Sequence, residues 1–235
     1  MWEGWELATC MPNDCFCEAV RDGAIRQPSN TWSSLTFCVA TFVMMPALLR
    51  GEVGRLTKLE AWLFAIAVFL VGVTSAFYHA SLSFFGQYLD VQSMYLLVVL
   101  AFSVNLDALR PGKPKQFLLT YVSINVIFGV LLVFVPAFRR FAFAGVILSV
   151  IATEVILRQR KLRDWNAKPL IAAAVLQGIA FVIWNLDRAH IVCDPTFPIQ
   201  GHAVWHTLGA CASFALWRYF TSASASVTSR PPATS

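Results

Sequence analysis

Residues 60–80 read EAWLFAIAVFLVGVTSAFYHA. After Glu60 the run carries no acidic, lysine or arginine side chain, and its length is that of a helix crossing a hydrocarbon core about 30 Å thick. Similar apolar blocks recur at about 31–49, 87–106, 117–136, 141–157, 169–187 and 201–220. The seven blocks predict an all-α chain folded as a seven-transmembrane helical bundle. Composition agrees: 57% of residues are hydrophobic and 13% charged, against about 25% charged in a typical soluble domain.

The net charge of +5 does not point to a nucleic-acid partner, because the basic residues gather at helix ends: Arg50, Arg55 and Lys58, then Arg110, Lys113 and Lys115, then Arg158, Arg160, Lys161 and Arg163. These fall in alternate loops. Loops of this kind stay cytoplasmic, which predicts an N-out, C-in topology. Arg139 and Arg140 in an outer turn, and Arg21 and Arg26 in the N-terminal segment, run against that pattern.

Three regions follow: an extracytoplasmic segment over 1–30, a membrane domain over 31–221, and a tail over 222–235. The Ser, Ala, Thr and Pro of the tail predict disorder. The chain opens without the basic stretch and short apolar core of a signal peptide, so the first span is expected to direct insertion. The protein is thus read as an integral, multi-pass membrane protein whose main partner is the lipid bilayer.

Ionisable side chains inside spans cost several kcal/mol unless paired or hydrated, which makes each a functional candidate. His202 and His206 lie in Gly201-His202-Ala203-Val204-Trp205-His206, and their i, i+4 spacing sets both imidazoles on one helix face. His79 ends the second span, which reaches the same outer side as the start of the seventh. One such histidine alone is more often a buried polar residue bonding a neighbouring helix. An i, i+4 pair with a third at matched depth favours a metal site near the outer boundary, where three imidazoles and an open fourth position suit hydrolytic zinc.

Asp90, near the outer start of the third span, and Ser75, one turn before His79, stand at the same level. A carboxylate there can move a proton and a hydroxyl can bond a developing oxyanion. The blander alternatives are an Asp90 that orients a histidine and a Ser75 that bonds its i−4 carbonyl. The run Pro28-Ser29-Asn30-Thr31 reads as a helix start, and Asp187 with Arg188 as an interface marker. Of six cysteines, Cys38 and Cys211 fall within spans, while Cys10, Cys15, Cys17 and Cys193 map to the outer side, where disulfides are permitted. Spacing alone does not choose the N-terminal partner of Cys193.

Taken together, Ser75-Ala76-Phe77-Tyr78-His79, Asp90 and the Gly201–His206 motif resemble the alkaline ceramidase family. That family belongs to a wider group of seven-span hydrolases that also contains adiponectin and progestin receptors. The resemblance implies a zinc-dependent amidase cleaving ceramide or a related N-acyl lipid to a sphingoid base and a fatty acid. Its metal ligands would be His79, His202 and His206, with Asp90 and Ser75 as catalytic residues. It also implies a Cys17–Cys193 disulfide. Some members carry a calcium site in the N-terminal segment; Glu18 would correspond to one ligand, Gln27 stands where an acidic ligand is expected, and Asp14 offers a carboxylate in compensation. Two other readings share the pattern: a receptor or lipid sensor with structural zinc, and a lipase of the same group that cuts an ester.

Overall fold

The computed structural model describes residues 2–10, 15–112 and 114–222. Lys113, Asp14 and the tail from residue 223 lie outside the described residues. The fold is all-helical: α1 (Pro28–Ser34), α2 (Thr36–Leu49), α3 (Lys58–Ser81), α4 (Phe84–Leu109), α5 (Pro114–Phe134), a 3-10 turn (Pro136–Phe138), α6 (Arg139–Gln159), α7 (Lys168–Arg188) and α8 (Gly201–Thr221). Outside the helices, the described residues show one isolated bridge, between Leu7 and Ser83.

Local chemistry fixes the helix that the quoted stretch forms. Thr57 Oγ1 accepts from the Glu60 amide at 3.2 Å and Glu60 Oε2 accepts from the Thr57 amide at 2.7 Å, a reciprocal cap that starts α3. At the other end Leu82 takes a left-handed conformation, φ 50°, and Ser83 Oγ accepts from the Gly86 amide at 3.1 Å to start α4. A two-residue link between helices makes them antiparallel neighbours. Ser75 and Asp90, each six residues from that link's nearer helix end, therefore stand at equal depth.

Six segments are long and apolar enough to cross a membrane: Pro28–Leu49, which joins α1 to α2, Lys58–Ser81, Phe84–Leu109, Pro114–Phe134, Pro136–Gln159 and Lys168–Arg188. Their outward faces carry large apolar side chains such as Phe42, Leu119, Leu148 and Ile171, all more than half exposed, a surface suited to acyl chains and not to water. The helix α8 matches them in length but is less apolar. It carries His202, His206 and Arg218, and most of its residues are covered by neighbouring helices. A helix that faces protein on most sides has no need of a lipid-facing stripe.

In packing, α3 contacts α1, α2 and α4 and, over a short stretch, α8; α4 contacts α5 and α6; and α8 contacts α7, α1 and α2. Close approach of α2 to α3 depends on Gly72, where a Cβ would sit 2.6 Å from Cys38 Sγ. By contrast α6 and α7 share no pair of Cα atoms within 8 Å, although they are consecutive in the chain. A cavity of about 560 Å³ lies between them and reaches His202 and His206.

At the end of the bundle away from the histidines, charge is buried instead of displayed. Glu154 accepts from Arg158 Nε at 2.9 Å, from Arg163 Nη1 at 2.5 Å and from the Tyr219 hydroxyl, and Arg163 Nη1 also donates to Asn105 Oδ1 at 2.5 Å. Arg163, expected as a loop charge, is 5% exposed. Burial is tolerated because each formal charge meets its opposite and further hydrogen bonds.

Candidate metal centre

The antiparallel pairing of α3 with α8 builds the site in two rungs. His79 lies two residues from the end of α3 and His202 one residue into α8, and their Nε2 atoms are 3.2 Å apart. One turn deeper, Ser75 Oγ lies 3.4 Å from His206 Nε2, with Asp90 beside Ser75. Ring centroids are separated by 4.9 Å for His79 and His202, 5.1 Å for His79 and His206, and 4.5 Å for His202 and His206. One nitrogen from each ring falls within 4.8 Å of the other two, and all three side chains are buried.

The surrounding polar groups decide which nitrogens are free. Gln27 Nε2 donates to the Glu18 carbonyl at 3.0 Å, which leaves Gln27 Oε1 to accept from His79 Nδ1 at 2.8 Å. A donor at Nδ1 makes Nε2 the lone-pair nitrogen of His79. His206 Nδ1 meets Ser33 Oγ at 2.9 Å and Ser34 Oγ at 3.3 Å, so its Nε2 also points inward. His202 Nδ1 is buried without a hydrogen-bond partner.

This arrangement fits a metal ion. Two imidazole nitrogens on a tetrahedral zinc, each about 2.0–2.1 Å from it, stand roughly 3.3 Å from each other, close to the 3.2 Å between His79 and His202. Outer hydrogen bonds from Gln27 and Ser33 are of the kind that orient ligating histidines. Asp90 and Ser75 line the cavity together with His202 and His206, so a ligand there reaches carboxyl, hydroxyl and imidazoles at once.

The N-terminal segment covers this end of the bundle. The Phe16 ring packs 4.4 Å from His202 and 5.0 Å from His79, centroid to centroid. It is pinned by a disulfide between Cys17 and Cys193, with Cα atoms 5.5 Å apart, and by the Cys17 amide, which donates to Asp187 Oδ2 at 3.2 Å. Asp187 is therefore no interface marker: it is 1% exposed and its carboxyl packs on Gly201, where a Cβ would lie 2.9 Å from it. Cys10 pairs with Cys15, a bridge that spacing alone did not select.

Glu18 is buried, and both its oxygens are engaged at the start of α1, Oε1 by the Ser29 amide at 2.7 Å and Oε2 by the Asn30 amide at 2.9 Å. Burial nonetheless pushes its carboxyl above the ordinary range. Asn30 itself has no side-chain partner; its carbonyl accepts from Ser33 and Ser34 Oγ, at 3.1 and 2.7 Å, which supports the helix-start reading. Gln27, Ser33 and Phe16 are the site residues that sequence reasoning did not assign. Their polar or aromatic character alone gave no signal of contact with histidines so distant in the chain.

Comparison with known proteins agrees with the geometry. The family model described as Ceramidase matches residues 16–233. A Dictyostelium discoideum protein named "Putative alkaline ceramidase dcd3B" is 27% identical over 177 residues, 66% of this chain and 61% of that protein. Alkaline ceramidase 1 of Mus musculus is 29% identical over 191 residues, 76% of this chain and 67% of its own length. The Homo sapiens protein of the same name is 25% identical over 217 residues, covering 88% of this chain and 78% of that one. The match thus spans about three fifths of the Dictyostelium relative's length. The stretch matched by the family model contains Ser75, His79, Asp90, His202 and His206 and both Cys17 and Cys193, and the chain belongs to the ceramidase family.

Proposed function

We propose that the protein is a zinc-dependent amidase of the membrane that hydrolyses the N-acyl bond of a ceramide-like lipid to a sphingoid base and a fatty acid. The observation that carries this reading is the convergence of His79, His202 and His206 beside Asp90 and Ser75 at the head of an apolar cavity. The names of its relatives support the amide as the bond cut.

His79, His202 and His206 hold the zinc, with Gln27 and Ser33 fixing two of the rings. Bound zinc supplies a nucleophilic water at neutral pH and polarises a carbonyl. Asp90 takes a proton at its carboxyl and delivers it to the leaving amine nitrogen. Ser75, one turn from His79, donates its hydroxyl to the oxygen of the tetrahedral intermediate. The gap between α6 and α7 admits the acyl chain from the bilayer, and Phe16 shields the histidines from bulk water.

In this reading α8 is a seventh span, the N-terminal segment is extracytoplasmic, and residues 31–221 form one membrane domain with a disordered tail. Formation of the Cys17–Cys193 bridge supports that sidedness, since disulfides persist in oxidising compartments. Glu18 acts as the cap of α1, and its engaged oxygens argue for that structural role over a calcium ligand.

Purified protein should carry about one zinc per chain and release sphingoid base from an N-acyl sphingoid lipid, measured by metal analysis and product mass spectrometry. Cleavage of a matched ester in preference to the amide would make it a lipase; bound zinc with no cleavage of either would make it a sensor.

A further inference from the structure

Gln87 lines the cavity one helical turn before Asp90 on α4, and the site as described does not use it. It is 5% exposed. Its Oε1 accepts from the Thr9 amide and from the Thr9 hydroxyl, both at 2.9 Å. A backbone amide can only donate, so these bonds fix the carboxamide with its oxygen toward Thr9 and its nitrogen turned away. Gln87 Nε2 has no hydrogen-bond partner among the described residues, and the protein does not seal it off.

Thr9 is itself firmly held. Arg139 Nη1 donates to Thr9 Oγ1 at 3.2 Å. On either side of Thr9, the Ala8 amide donates to the Leu82 carbonyl at 3.1 Å and the Cys10 carbonyl accepts from the Tyr78 hydroxyl at 2.7 Å. Ala8, Cys10, Cys15 and Phe16 pack with Tyr78 and Leu82 in a buried cluster of their own. The N-terminal segment is therefore a built wall of the cavity beside Gln87, which Thr9, Cys10, Cys15 and Phe16 line. Anchoring that wall accounts for Oε1 of Gln87 and leaves both Nε2 protons without a role.

The rest of the α4 face indicates what they meet. Past Asp90 the lining continues with Val91, Met94, Leu97, Val98 and Ala101, all apolar. A lipid whose amide lies at Asp90 and Ser75 and whose chains run toward Ala101 presents its headgroup to Gln87. Along the helix Gln87 stands about 4.5 Å from Asp90. In a sphingoid base the primary hydroxyl is carried by the carbon next to the one bearing the amide nitrogen, a separation of that order.

We propose, on the basis of the amidase reading above, that Gln87 determines headgroup specificity: its Nε2 donates to the oxygen of a free hydroxyl on the carbon adjacent to the amide-bearing one. Thr9 orients the carboxamide for this bond. A lipid with a methyl group in place of the hydroxymethyl leaves the donor unpaired once the cavity is filled, which is how a hydrogen-bonding pocket rejects an analogue that lacks the bonding group.

The test compares an N-acyl sphingoid base carrying a free 1-hydroxyl with its 1-deoxy counterpart of the same acyl chain, both in neutral detergent. Expected is a kcat/KM about tenfold higher for the hydroxyl lipid, a ratio that falls to within about twofold of unity in Gln87→Met, which fills the same space with no donor. Gln87→Glu keeps an acceptor for Thr9 and lacks the amide donor; loss of the ratio there at the wild-type thermal midpoint and zinc content assigns the effect to the donor and not to the wall. Equal cleavage of the two lipids by the wild type overturns the proposal and leaves the amidase reading standing, as does a ratio that survives in Gln87→Met or in Gln87→Glu. If neither lipid is cleaved, the amidase reading falls, and binding of the N-alkyl analogues, in which a methylene replaces the carbonyl, decides the headgroup alone. Tighter binding of the hydroxyl analogue, lost in Gln87→Met, supports the assignment; equal binding of the two refutes it.

Discussion

Gln27 Oε1 accepts from His79 Nδ1 at 2.8 Å while the other end of the same amide donates to the Glu18 carbonyl. A residue at the entrance of the first helix thereby sets the tautomer of a histidine at the end of the third. Removing the acceptor frees the ring to rotate. Gln27→Ala is expected to weaken zinc binding about 10- to 100-fold, as loss of such outer partners does elsewhere. Gln27→Glu keeps an acceptor and should retain most of the affinity. Competition with a chromophoric chelator measures both.

On the proposed reading, His202→Ala and His206→Ala each remove one of three zinc ligands from a site with an open fourth position. Zinc content and turnover should be lost together in either variant. Chelation of the wild type should abolish turnover, and added zinc should restore it. Full turnover by a zinc-free His202→Ala protein would separate the histidines from the chemistry. Ser75→Ala is the milder change: it leaves the metal in place and lowers kcat by about 10²-fold if the hydroxyl bonds the oxyanion.

The Cys17–Cys193 bridge joins residues 176 apart and holds Phe16 against the histidine rings. Cys17→Ser/Cys193→Ser should lower stability by about 2–5 kcal/mol, seen as a drop in the thermal midpoint in detergent that reducing agent reproduces in the wild type. Because Phe16 is then free to lift, zinc should exchange faster in the variant than in the bridged protein.

Arg163 and Glu154 lie at the end of the bundle away from the site. Arg163→Ala leaves Glu154 with Arg158 and Tyr219 as partners but removes the Arg163 bonds to Glu154 and Asn105, and should cost about 1.5–3 kcal/mol, read from chemical or thermal unfolding. Zinc content of the folded fraction should be unchanged, which distinguishes this network from the histidine cluster.

Much of the architecture was legible in order along the chain. Block length and the scarcity of charge within blocks located the long helices, and the structure moves their bounds by only a few residues, as for 60–80 within Lys58–Ser81, while it divides the first block into α1 and α2 and ends the fourth at Phe134. The physical reason is that a span must satisfy its own backbone hydrogen bonds in lipid, so its extent is a local property of composition. The i, i+4 pair of His202 and His206 was equally local, since helix geometry alone puts both rings on one face.

Contacts between remote segments were not legible in that way. That His79 meets His202 Nε2 at 3.2 Å, that Gln27 and Ser33 orient two of the rings, that Asp187 is buried against Cys17 and Gly201, and that Arg163 turns inward from its loop to pair with Glu154 all depend on which helix faces which. Equal depth of Ser75 and Asp90 follows from a two-residue link, but the approach of Ser75 to His206 follows from where α3 meets α8. The sequence determined the helices and the polar residues they carry, because those obey short-range periodicity and solvation. Tertiary structure alone decided which of these residues share a site, because partner choice is made by packing between segments far apart in the chain.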